Sequence, residues 1–77
     1  MLNIRLRYPE DKEKFVKICS EFSYDITLHK GSLEVDAKSL LGVMGFETKF
    51  DCYVTIGTDD PEVIQKFEKA LSEYSYE

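Results

Sequence analysis

The chain has 77 residues, of which 43% are hydrophobic and 32% charged, a balance that belongs to folded domains and not to disordered ones. At this length it forms one domain, residues 1–77, which buries roughly 60–65% of the surface of the unfolded chain and has a core too thin to enclose a large cofactor. Ten Lys+Arg against 15 Asp+Glu give a formal charge of −5, which disfavours nucleic acid or an anionic membrane as the main partner.

The first element is a strand. Leu2, Ile4, Leu6 and Tyr8 alternate with Asn3, Arg5 and Arg7, the period of a half-buried strand. Pro9 stops it and suits the first turn of a helix, with Glu10 and Asp11 placed favourably at the positive helix end. Phe15, Ile18, Cys19 and Phe22 then recur at helical spacing, and Glu10–Lys14 and Glu13–Lys17 are i,i+4 pairs, predicting a helix over 10–22. Ile26 and Leu28, then Leu33 and Val35, alternate with polar residues around Lys30-Gly31-Ser32 and predict a hairpin.

The next stretch, Lys38 to Gly45, is short and apolar, with Ser39 placed to cap a helix and Gly45 to end it. Cys52, Val54 and Ile56 alternate as a fourth strand. Asp60 as N-cap and Pro61 at the first helical position open a last helix, whose apolar positions are Ile64, Phe67, Leu71 and Tyr74. Residues 59–77 hold six acids and two bases, so most of the negative charge belongs to this segment. The order β-α-β-β-α-β-α predicts an α+β fold, a two-layer open-faced sandwich with helices on one face of a four-stranded, mainly antiparallel sheet.

Residues suited to catalysis are few. The sequence has no P-loop, no G-x-G-x-x-G and no H-E-x-x-H, and its carboxylates Asp59, Asp60 and Glu62 lie at a helix start, where acids belong without a metal. Cys19 and Cys52 fall on apolar faces and are not in C-x-x-C spacing, which indicates reduced, structural thiols. His29, the single histidine, takes a polar-facing strand position. The N-terminal residues, with Arg5 and Arg7 among them, form neither a signal h-region nor a membrane span. The expectation is a cytoplasmic protein that is not an enzyme and has no cofactor and no metal.

Leu40, Leu41, Val43 and Met44 are apolar almost all round a helix of two turns at most. Either Leu40, Leu41 and Met44 plug the core, or some of them form an exposed patch for a partner.

At these residues the chain resembles HPr, the histidine-containing phosphocarrier of the bacterial sugar phosphotransferase system. Val35 to Met44, with Lys38-Ser39, two large apolar residues and Gly42-Val43-Met44, is similar to the family's regulatory-serine signature, and the likeness runs from Phe15 to about Ile56. The resemblance implies the HPr fold. It also implies that Ser39 is the target of an ATP-dependent kinase and that Leu40, Leu41 and Met44 dock partners, namely phosphotransferase-system components, HPr kinase or a transcription regulator. The family's phosphorylated histidine lies in a His-Ala-Arg-Pro loop before the first helix; an ungapped count places Tyr8-Pro9-Glu10-Asp11 there, and keeping Leu2–Arg7 as a strand implies instead that the loop is deleted. Either way no histidine and no arginine matches the motif, and Glu10 and Asp11 would repel a phosphate. The expectation is an HPr-like regulatory or protein-binding module without phosphocarrier activity. Alternatives are an active phosphocarrier through His29, or a structural or small-ligand-binding domain with only the HPr fold. For Ser39 the plain reading is a helix cap worth about 1 kcal/mol.

Overall fold

The computed structural model describes residues 1–76. The elements are β1 (Leu2–Ile4), α1 (Pro9–Ser20), β2 (Ile26–Lys30), β3 (Leu33–Asp36), α2 (Leu40–Met44), β4 (Cys52–Ile56) and α3 (Pro61–Ala70). The strands form one antiparallel sheet in the order β1-β4-β2-β3. This is the expected two-layer α+β architecture.

Registry divides the sheet cleanly. Val54 lies opposite both Leu2 and Leu28, and Ile56 opposite Ile26, so one face is apolar. Ile4, Ile26, Leu28, Cys52 and Val54 bury there against Phe15, Val16 and Cys19 of α1, Val43 of α2 and Phe67 of α3. The other face carries Asn3, Tyr53, His29 and Glu34 in one row across the four strands. Alternation places these two sets on opposite sides because successive strand side chains point opposite ways.

Three elements end earlier than the periodicity predicts. β1 stops at Ile4, not Tyr8, although Leu6 remains fully buried. From Arg5 the backbone leaves β4: Arg5 N–H donates to the Tyr74 carbonyl (2.8 Å) and Leu6 N–H to the Thr48 carbonyl (2.9 Å). Burial of Leu6 therefore keeps the strand-like pattern in a segment that is not a strand. α1 ends at Ser20, and α3 ends at Ala70 with Leu71 and Tyr74 still buried through following turns. Residues 74–76 run along the free side of β1, where Ile4 bridges Ser75 and Tyr76 N–H donates to the Asn3 carbonyl (3.1 Å), so this edge is covered.

Lysines tie the helix layer together. Lys12 Nζ of α1 donates to the Phe46 carbonyl (2.9 Å) and the Met44 carbonyl (3.4 Å), at the negative end of α2. Lys38 Nζ donates to the Phe22 carbonyl just beyond α1 (2.6 Å). Gly42 lets α2 lie against β3, since a Cβ there would meet the stiff side chain of Val35. Gly42→Ala should therefore cost about 1–2 kcal/mol, because overpacking of about 1–3 kcal/mol exceeds the roughly 1 kcal/mol that alanine gains as a helix former. The urea midpoint of the variant measures this; an unchanged or higher midpoint contradicts the tight approach.

Candidate functional site

The candidate site is α2 and its approach. Ser39 is the N-cap: its backbone is extended, and its Oγ accepts a hydrogen bond from Gly42 N–H (3.2 Å). Asp36 prepares the cap. Its carbonyl accepts from Ser39 N–H (3.0 Å), and its carboxylate accepts from Lys38 N–H (2.9 Å), an Asx-type turn that delivers the chain into the helix.

The five residues of α2 divide by face. Val43 is fully buried, whereas Leu40, Leu41 and Met44 are 42%, 89% and 39% exposed. Of the two arrangements that the apolar segment permitted, Val43 supplies the plug and the other three remain at the surface. A helix of five residues has one face toward the core, and the remaining apolar side chains have nowhere else to go. Leu41 stands almost free in solvent two residues from the half-buried Ser39.

The start of α1 is closed by its own acid. Asp11 Oδ2 accepts from the backbone N–H of both Arg7 and Tyr8 (each 3.3 Å). A carboxylate thus occupies the positive helix end, where a bound anion would otherwise be favoured. No histidine lies at the α1 start, residues 8–11. Arg5 and Arg7, which the alternation placed within a strand, instead flank this junction and share a cleft with Asp11 and Tyr74. Sequence reasoning did not bring them here, because it carried the strand on to Tyr8.

His29 belongs to the helix-free face of the sheet. Its ring stacks on Tyr53 (centroids 4.5 Å apart, planes 5° from parallel), and its Nε2 lies 2.8 Å from Thr55 Oγ1. That hydrogen bond and the stack account for a half-buried strand histidine without any chemistry.

The thiols are in the core. Burial pushes the Cys19 thiol up to about 12, and burial likewise raises that of Cys52, whose Sγ also donates to the Glu47 carbonyl (3.3 Å). A thiol is nucleophilic only as thiolate, so native protein at pH 8 should resist iodoacetamide at both positions while urea-unfolded protein reacts fully. Mass spectrometry of the two samples checks this; fast native alkylation would refute the buried placement.

Among the described residues no group of three or more His, Cys, Asp or Glu could hold a metal ion, and no helix is long and apolar enough to cross a membrane.

This fold, with a serine-capped apolar α2, is that of the phosphocarrier class. The family model for the HPr component phosphorylation site of the phosphotransferase system matches residues 12–73. The chain therefore belongs to the HPr family, whose members are phosphocarriers that interact with other proteins of that system. The family match begins after the α1 start, so it does not cover Tyr8–Asp11.

Among solved structures, HPr-C-His from Thermoanaerobacter tengcongensis is 26% identical, with a TM-score of 0.69 over 95% of this chain and 83% of that one. The phosphocarrier protein HPr from Bacillus anthracis str. Ames is 27% identical, with a TM-score of 0.60 over 91% of this chain and 86% of that one. The catabolite repression protein Crh of Bacillus subtilis shares the fold at 23% identity, with a TM-score of 0.66 over 96% of this chain and 88% of that one. Among curated proteins no match is found.

Proposed function

We propose that this protein is a cytoplasmic HPr-family module that works by protein contact through α2 and does not carry phosphate on histidine. The observation that carries the reading is the contrast between the two helix starts. α2 presents Leu40, Leu41 and Met44 to solvent beside Ser39, while the α1 start holds the Asp11 carboxylate and no histidine.

The chemistry supports each half. Phosphotransfer to an imidazole needs a ring nitrogen reachable by the donor and cationic groups around the phosphate. His29 Nε2 is engaged by Thr55, its ring is covered on one side by Tyr53, and cross-strand Glu34 would repel a phosphate there. At α2 a phosphate on Ser39 would add close to two negative charges beside the docking residues, at the positive helix end but close to Asp36. Such a charge changes which partner the patch accepts. Family membership supports phosphotransferase-system proteins as partners, and HPr kinase or a transcription regulator is the finer reading proposed for the Ser39 end of α2.

Two labelling reactions test the reading. With phosphoenolpyruvate and enzyme I the protein should acquire no acid-labile phosphate; label on His29 would establish the phosphocarrier alternative. With ATP and HPr kinase it should gain one phosphate that is absent from Ser39→Ala. Absence of that phosphate would leave Ser39 as a cap alone.

A further inference from the structure

We propose that the cleft between the β1–α1 connection and the α2–β4 loop binds a small ring-bearing phosphomonoester of the nucleotide class. The cleft, about 330 Å³, is lined by Arg5, Arg7, Tyr8, Lys49 and Phe50. It is distinct from the apolar face of α2, and the inference does not depend on that face docking a protein.

Three observations converge. The first is aromatic: Tyr8 and Phe50 are each 61% exposed, on two different connections that meet at one cleft. An exposed Phe forgoes the free energy of burial, and a flat ring at a cleft wall is a surface on which a base can stack.

The second is charge. Among the described residues the one ion pair is Lys30–Glu47, so Arg5, Arg7 and Lys49 make no ion pair with a described carboxylate, in a chain whose net charge is −5. The nearby acids are largely engaged. Asp11 accepts from the Arg7 and Tyr8 backbone, and Glu47 accepts from Lys30 Nζ (2.7 Å) and Lys49 N–H (2.6 Å), which leaves Asp51 on the loop and Glu73, which shares a neighbouring cleft with Arg5 and Arg7.

The third is preorganisation. Lys30 Nζ also donates to the Phe50 carbonyl (3.0 Å), so one side chain ties Glu47 to Phe50 within the loop that presents the ring. Arg5 is held from behind: its guanidinium lies over the Tyr76 ring (4.7 Å to its centroid), which belongs to the neighbouring cleft, and its Nε is buried. A guanidinium so placed offers forked donors to a phosphate with little ordering left to do.

Size and charge select the ligand class. The cleft is at the small end of ligand sites, which run from roughly 300 to 1,000 Å³, so it suits one nucleotide and not a polymer. The net negative charge of the rest of the molecule disfavours a polyanion in the same way.

Titration of ¹⁵N-labelled protein with AMP, followed by amide shifts, is the test, with adenosine, ribose 5-phosphate and tetraglutamate as comparison probes. AMP should give saturable shifts confined to Arg5–Tyr8 and Glu47–Asp51, and should bind at least about 10-fold more tightly than adenosine or ribose 5-phosphate, because only AMP engages both rings and cations. Phe50→Ala and Arg7→Gln should each weaken binding about 10-fold with unchanged circular dichroism; if Phe50→Ala does not fold, Phe50→Leu replaces it. Four results would overturn the proposal: no saturable shifts, shifts confined to other segments, tetraglutamate binding as tightly as AMP, or full affinity in the Phe50 variant.

Discussion

Phe67→Ala should lower the unfolding free energy by about 3–5 kcal/mol, the range for removing a fully enclosed aromatic ring. Phe67 is 2% exposed, at the centre of the inward face of α3, and it meets Phe22 edge-to-face at 5.5 Å and 89°. That geometry contributes roughly 0.5–1.5 kcal/mol beyond burial, so Phe22→Leu should reproduce a smaller part of the loss. For a domain of this size total stability is about 4–12 kcal/mol, at roughly 0.05–0.15 kcal/mol per residue, so Phe67→Ala removes a large fraction of it. The loss should register in urea as a midpoint lower by more than about 1 M, given slopes of roughly 1–3 kcal/mol/M. A shift below about 0.5 M would mean that α3 is not packed as described.

Leu41→Glu should have the opposite profile. Leu41 is 89% exposed, so its replacement removes almost no buried area and the urea midpoint should move by no more than about 0.5 kcal/mol equivalent. A charge at the centre of an apolar contact is another matter. Binding to HPr kinase or to enzyme I, measured by calorimetry, should weaken by 2 kcal/mol or more, at least about 30-fold, since an unpaired carboxylate would be buried where a leucine had been. The control is Val43→Ala, which removes buried apolar volume two residues away and should cost stability of about 1–3 kcal/mol with a much smaller effect on the contact surface. Partner binding that survives Leu41→Glu would remove α2 as the docking element.

The two variants separate what the two sides of one short helix do. Val43 holds α2 to the core, and the Gly42–Val35 approach fixes how closely it lies on β3. The lysine bonds to helix-end carbonyls keep α1 and α2 in register from both sides. Leu41 can therefore be exposed on a rigid platform, and a rigid platform loses less entropy on docking than a mobile loop.

Much of this arrangement was legible from residue order. The alternation of Ile26, Leu28, Val35, Cys52 and Val54 named the inward face of the sheet, since a two-residue period leaves each residue type only one side to take. Ser39 was legible as an N-cap and Asp60 as another, because both signals act within three residues. Leu6 misled. Its burial continues the strand alternation, but its backbone partner is Thr48, 42 residues away, and nothing local to Leu6 signals that Thr48 carbonyl and hydroxyl will both meet it.

Sequence by itself thus determined the order of elements, the apolar face of each, the caps, and the family to which the serine-led α2 segment points. The first three follow from local periodicity and capping, whose physics reaches one or two turns along the chain; the family is what the resemblance of residues 35–44 implies. Tertiary structure alone decided which of Leu40, Leu41, Val43 and Met44 is covered, and that Arg5, Arg7 and Tyr8 share a cleft with Lys49 and Phe50. Each of these depends on where segments more than thirty residues apart come to lie, or on how a half-buried helix divides its faces. Burial and electrostatics at such places are set by neighbours in space, which the order of residues does not state.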